Sequence, residues 1–332
     1  QLEIDPAQDH LVDIGEAWLQ FKAPPKPGYR LSARAGLFYP PVSLEHDGTA
    51  WGTTRTLTPS AINSWIGEEV KVAALEGTAL FQAGAGELSV TGAMFGYNDT
   101  SGTLMTFRGW ALHDHQTPLF GSLPLPERDE AWWAGQSQAM IAEPVREADE
   151  RLGFYARTEW RPARLPVALN LFYYDNRGDK ESILFEDGQT SWQTRFVNAG
   201  LRARLAPGLE VLAQAMAGET VWMPVTDGPI AYVDDVGFRS AYVLLDKQFD
   251  DQGFAIRLDA FETYDLNQDF SYVSRPEDGW AATAAWRKPL THGFTVMAEA
   301  VHVDSDRQSR GYDGLDPHQR QSMLQLALRR EF

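Results

Sequence analysis

The chain has 332 residues, a formal net charge of −17, a mean hydropathy of −0.35 and no cysteine, enough for one large barrel or two ordinary domains. The missing thiols exclude a disulfide framework and thiolate chemistry, and the acidic balance without a basic stripe argues against nucleic acid. No apolar run approaches the ~18 residues of a transmembrane helix, but a β-barrel stays open, since only every second residue of its strands meets lipid.

The first predicted strand lies in GEAWLQFK, 15–22. Ala17, Leu19 and Phe21 form one face; Glu16, Trp18, Gln20 and Lys22 form the other. This period of two marks a strand, and APPKPG ends it because proline cannot continue a ladder. The next strand, 29–41, sets Leu31, Ala33, Ala35 and Leu37 against Arg30, Ser32, Arg34 and Phe38. Two arginines on one strand face need water or acidic partners, and a wet lumen offers both.

The run Ala33 to Glu45, ARAGLFYPPVSLE, resembles the strand and following loop of the phosphate-selective porin O and porin P family. Gly36, Phe38, Pro40, Pro41, Ser43, Leu44 and Glu45 fit its Gly-x-Phe-x-Pro-Pro-x-Ser-Leu-Glu pattern. The likeness lies within Ala17 to Val72. It implies porin architecture more than phosphate selectivity, because the family's lysine-rich phosphate ladder is not evident here. It also implies a homotrimer or a larger outer-membrane complex.

Residues 42–68 form a long excursion. Thr58 and Pro59 in TPSAINSW give helix-start signals for a short helix. In a porin such an early loop can enter the lumen and constrict it. From residue 69 the chain reads as a meander: EVKVAALEGTALFQ, ELSVTGAMFGY and TLMTFRGWALH, then strands at 151–160, 164–174, 192–205, 209–218, 238–249, 254–264, 280–288 and 294–303. Short links alternate with long polar ones, as periplasmic turns alternate with extracellular loops in outer-membrane barrels. The closing strand is MLQLALRREF, with Leu324, Leu326 and Leu328 on one face and Phe332 at its end. Parity makes Asp114–Glu150 either periplasmic or the carrier of one more strand, for which GQSQAMIAE (135–143) is the candidate. It also needs one before Ala17. No leader is visible at Gln1, so one is expected to have been cleaved, or further sequence to precede it. The expected fold is a single all-β domain over 1–332, a transmembrane antiparallel β-barrel of about 16 strands, within 14–18.

With the apolar face in lipid, the lumen face carries Arg34, Lys71, Arg108, Arg157, Arg202, Arg204, Arg257 and Arg329, with Glu16, Glu159, Asp259, Glu299 and Glu331. The basic excess suits anions in a narrow pore; alternatively the charges pair across the wall and only keep it wet. Phe332, Trp160 and Trp286 are expected in the aromatic girdles. His113 and His115 would share a strand face, but two ligands are too few for a metal site. Ser240, Ser322 and Asn198 sit in no nucleophile signature, and Glu159 and Glu299 are only lumen candidates for paired carboxylates. No catalytic residue, metal or cofactor is therefore expected. The primary expectation is a passive outer-membrane channel for small hydrophilic solutes of a Gram-negative bacterium, with anion preference as the finer point and lipid as its surround. The alternatives are a plugged barrel serving as a structural or assembly partner, and a soluble β-rich carbohydrate-binding module.

Overall fold

A computed structural model of the chain describes residues 2–4, 10–126, 138–184, 188–223, 234–267 and 276–330. Its centre is one antiparallel sheet of thirteen strands, each hydrogen-bonded to the next in chain order. Numbering only these strands, they are β1 (Ala17–Lys22), β2 (Tyr29–Phe38), β3 (Val72–Ala83), β4 (Gly86–Gly96), β5 (Gly153–Pro162), β6 (Val167–Asp175) and β7 (Gln193–Ala206). There follow β8 (Leu209–Trp222), β9 (Asp234–Phe249), β10 (Gln252–Asp265), β11 (Glu277–Pro289), β12 (Phe294–Arg307) and β13 (His318–Arg330). β1 and β13 are the two edges. Leu2–Ile4 with Val12–Ile14, Leu123–Pro124 with Ile141–Ala142, and Ile183–Leu184 with Gln189–Thr190 form three small separate ladders.

The period of two survives along every long strand. On β10, Gly253, Ala255, Arg257, Asp259, Phe261 and Thr263 are buried, while Phe254, Ile256, Leu258 and Ala260 are exposed. This inverts a soluble sheet: the ionised residues are inside and the aliphatic ones outside. The inversion extends round the sheet. Outward charges sit near strand ends, at Arg195, Glu219, Arg239, Glu262, Asp278, Asp304 and Arg320 toward the long loops and at Lys247, Lys288 and Arg330 toward the short turns. The outward positions between them carry no Asp, Glu, Lys or Arg among the described residues. Leu258 is 59% exposed, Val243 54%, Leu171 59% and Leu324 86%. Leaving such side chains in water rather than an apolar medium forgoes roughly 1.5–3 kcal/mol each.

Two predicted strands are corrected. TLMTFRGWALH is not a strand: α2 (Thr103–Phe107) is a buried helical turn, and the chain after it is irregular. In GQSQAMIAE, residues 135–137 lie outside the described residues, and Ile141–Ala142 pairs with Leu123–Pro124 rather than with the large sheet. Because β4 pairs directly with β5, the whole 97–152 segment is one long connection. With those two strands removed, short connections (23–28, 84–85, 163–166, 207–208, 250–251, 290–293) alternate with long ones without a break.

The core lies on the inner side of this sheet. α1 (Ala61–Glu69) forms in the predicted segment but starts two residues later than the Thr58 and Pro59 signals place it: Ser60, not Thr58, is the N-cap, accepting from the Asn63 N–H, and all nine residues are buried. Trp65, Ile62 and Ile66 pack with Phe196, Phe238, Tyr242 and Phe261 from the strands. Trp65 meets Phe238 and Phe196 at ring distances of 5.1 and 5.5 Å.

Candidate functional site: the segment inside the sheet

Pro40 and Pro41 stop β2 and turn the chain inward. Gly36, just before, has φ 141°, and a Cβ there would lie 2.2 Å from the Ala17 carbonyl oxygen, so β1 can cross only a glycine. The residues that carried the porin resemblance then turn out to dock the loop on the wall. Ser43 Oγ accepts from the Glu45 and His46 N–H groups at 3.1 and 3.2 Å. The Leu44 N–H donates to Gln214 of β8 at 3.0 Å, and its carbonyl accepts from Arg202 of β7 at 2.9 Å. Glu45 accepts from the Ser60 N–H and hydroxyl at 2.9 and 2.5 Å and from Asn63 at 2.6 Å.

Glu45 also meets Arg257 at 3.0 Å, and Arg257 holds Asp259 of the same strand at 2.8 Å. The guanidinium is fully buried and donates further to the carbonyls of Thr58 and Pro59 at 2.7 and 2.9 Å. Burial opposes charge on Glu45, yet Arg257, Ser60 and Asn63 together hold its carboxyl below the ordinary range. A buried ion pair is weak evidence for net stability, but one with its remaining donors satisfied fixes a single arrangement strongly.

The same segment reaches the far edge of the sheet. The Leu57 and Thr58 N–H groups donate to Glu299 of β12 at 2.6 and 2.9 Å, Gln325 of β13 donates to the Thr58 hydroxyl at 2.8 Å, and Arg329 donates to the Thr53 carbonyl. Asn63, five residues from Thr58, donates to Gln214 of β8 at 3.2 Å. In a flat sheet β8 and β13 would be about 24 Å apart, so the strands curl around this segment.

The second long connection fills the rest. Trp110 donates its N–H to Glu277 of β11 at 2.9 Å and its ring N–H to the Glu262 carbonyl of β10 at 3.0 Å. Glu69 of α1 accepts from the Leu104 N–H of α2 at 2.7 Å and from Trp65 Nε1 at 2.5 Å, while burial pushes its carboxyl up to about 7. Its neighbour Glu68 takes Arg108 at 2.9 Å and His113 at 2.9 Å; burial opposes its charge, but these partners draw it down to about 2.

The sequence-predicted lumen residues are therefore mostly engaged. Arg34 pairs with Glu76 at 2.8 Å and lies 3.7 Å from the Phe38 ring; Arg157 pairs with Glu159; Lys71 donates to the Thr117 carbonyl. Arg204 faces inward and is exposed. Arg108 lies on no strand and belongs to the inner packing, as does Lys71. Glu16 accepts from the Tyr39 N–H at 3.2 Å. Of the two expectations, these contacts correspond to the one in which the charges pair across the wall. Trp160 and Trp286 lie on the outward face near the short turns; Phe332 and Glu331 lie outside the described residues. His113 and His115 sit in a loop, with ring centroids 6.4 Å apart.

Among the described residues, two inner cavities stand out. One of about 340 Å³ is lined by Glu16, Trp18, Arg34, Tyr39, His46, Trp51 and Arg157, against β1, β2 and β5. Trp51 stacks on His46 and Tyr39 at 3.5 and 4.1 Å, and both Ala50 and Trp51 have positive φ, 55° and 52°. Two adjacent non-glycine residues in that region store strain of about 1–3 kcal/mol each. Burial holds His46 down at about 4, so it is neutral at physiological pH. The other cavity, about 310 Å³, lies toward the long loops beside Arg108, Trp110, Ser305, Gln319 and Gln321.

Sequence reasoning found Arg257, its same-strand partner Asp259, and Glu299, but not their contacts with Glu45, Leu57 and Thr58, some two hundred positions away; it missed Gln214, Asn63 and Trp51. Outside the sheet, Asp99, Glu147 and Asp149 hold carboxylate oxygens within 4.8 Å of one another. Burial and these neighbours push Asp99 up to about 8. No family model matches the chain, and no curated protein matches it significantly.

Proposed function

We propose that the chain is a porin-like channel of a Gram-negative outer membrane. In this reading the curled sheet is a membrane-spanning cylinder, with short turns in the periplasm and long loops outside. Residues 39–71 form its constriction, and small hydrophilic solutes diffuse along what the inner packing leaves open. One observation carries the reading. Across thirteen strands, outward positions between the terminal charges are uncharged, while Arg257, Asp259 and Glu299 face inward. Water does not select for that inversion, and hydrocarbon does. The resemblance to phosphate-selective porins supports the same architecture.

The path runs through the cavity of about 340 Å³ beside β1, β2 and β5, where polar and aromatic walls meet a strained loop tip. Arg34 and Arg157 are compensated by Glu76 and Glu159, so anion preference is slight. Conductance is small for a barrel of this circumference, because α1 and α2 occupy the interior. Purified protein in planar bilayers tests this: discrete low-conductance steps support the channel, and silence rejects it. Silence favours the second reading, an occluded barrel acting as an assembly partner. That reading draws on the complete burial of α1.

A further inference from the structure

The cavity beside β1, β2 and β5 has walls suited to holding a solute as well as passing it, and the class of solute rests on the channel reading above. Trp18 of β1 faces this cavity and is 44% exposed. Among the described residues, the aromatic rings at other inward strand positions are covered: Phe38, Tyr155, Phe172, Tyr242 and Phe261 are each 5% exposed or less. The Arg34 guanidinium stands 5.9 Å from the Trp18 ring and does not close over it. Trp51 cannot take its place, because its ring is already stacked on His46 and Tyr39 at 3.5 and 4.1 Å.

Polar groups surround this open indole. Ser43 Oγ already accepts two N–H groups, so its own proton goes to His46 Nδ1, 2.8 Å away. The neutral ring then carries its proton on Nε2, as a donor. Glu16, anchored by the Tyr39 N–H, adds a carboxylate acceptor. Arg34 and Arg157 add guanidinium donors, each held in place by its own carboxylate, Glu76 and Glu159. The wall is therefore rich in donors and acceptors but has no excess positive field to retain an anion. Ala50, at the strained tip of the loop, lines the same cavity, and strain of this kind clusters at ligand clamps.

We propose that this cavity is a binding subsite for a neutral, hydroxyl-rich solute, one pyranose ring of a saccharide. The apolar C–H face of the sugar lies on Trp18, while its hydroxyls accept from His46 Nε2, Arg34 and Arg157 and donate to Glu16. The volume of about 340 Å³ equals about eleven waters at ~30 Å³ each, room for one such ring with solvent beside it. Inorganic phosphate has no apolar face for the indole, and each arginine that would hold it is already paired.

The probes are glucose and maltose, with inorganic phosphate as the comparison, on the purified protein in planar bilayers and in detergent micelles. Millimolar sugar should reduce the ion current saturably and reversibly, and should change tryptophan fluorescence in micelles over the same concentration range. Trp18→Ala should raise the half-effect concentration roughly tenfold, the weight of one ring contact, and Trp18→Phe, which keeps a ring, should retain most of the affinity. Current that flows undiminished by either sugar, with no saturable fluorescence change, overturns the subsite and leaves the channel standing. Saturable block by phosphate but not by sugar overturns it equally, as does a sugar response that Trp18→Ala leaves unchanged. Silent bilayers are a different outcome: they overturn the channel reading, and the fluorescence titration then decides the subsite alone.

Discussion

Leu258→Arg separates a lipid-facing surface from a wet one. Leu258 sits mid-way along β10, between Ile256 and Ala260, opposite Val243 of β9 and Ala282 of β11, and is 59% exposed. On a water-facing sheet an exposed Leu→Arg change away from special features moves stability by about ±0.5 kcal/mol or less. At the mid-plane of a bilayer the same change costs about 2–4 kcal/mol, a factor of roughly thirty to several hundred in the folding equilibrium. The neighbouring charges of opposite sign are too far along the strand to offset it, since Glu262 is four residues on and paired with Arg239 at 2.5 Å. The assay is urea-driven unfolding from lipid vesicles followed by tryptophan fluorescence, with Leu258→Ala as the size control. Equal midpoints for the Arg and Ala variants would refute the assignment of this face to hydrocarbon.

Other consequences concern the interior. Arg257→Met leaves Glu45 and Asp259 buried without their cation, and the fold should lose about 3–5 kcal/mol; an unchanged urea midpoint means the buried triad does not hold the inner segment. Arg34→Glu places a second carboxylate beside Glu76 on the cavity wall. Ion preference should then move toward cations, and an unmoved reversal potential in a salt gradient removes the path from this cavity. Arg108→Glu opposes Glu68 inside the packing, so its effect should appear as lowered thermal stability rather than as changed selectivity. Asp99 keeps its proton to about pH 8 in the folded chain, whereas an unfolded aspartate loses it near pH 4. The folded state therefore binds more protons between these values, and stability of the loops falls as pH rises from about 4 to about 8, then levels. Hydrogen exchange at residues 97–102 across that range should show the trend, and Asp99→Asn should flatten it.

The strands were legible because their two faces meet different media, which writes a period of two into the sequence. The same logic explains the misreading of TLMTFRGWALH. Leu104, Met105 and Phe107 are all buried, so nothing there forces alternation or a helical stripe. Its run of apolar residues resembles a strand, yet it packs inside one. A short helix in this segment was legible from local chemistry, the Thr58 and Pro59 start signals, but its cap was not: Ser60, two residues on, caps α1. The docking contacts were not: Leu57 and Glu299 lie 242 positions apart, and no spacing rule joins them. The inward charges could be read from strand parity, and some of their partners lie within the sheet, as in Arg34–Glu76 and Arg257–Asp259; the contacts of Arg257 with Glu45 and of Glu299 with Leu57 depend on a loop whose course no spacing rule gives. The motif Gly36 to Glu45 gave the one local hint, since its residues anchor that loop.

The central claim is that hydrocarbon covers the outer face of the sheet. Single cysteines placed one after another from Phe254 to Phe261 on β10, each carrying an environment-sensitive fluorophore, test it in reconstituted vesicles. The account predicts quenching by lipid-borne quenchers at positions 254, 256, 258 and 260 and little at 255, 257, 259 and 261. Uniform quenching along the strand, or access of a water-soluble quencher to Ile256 and Leu258, would contradict it.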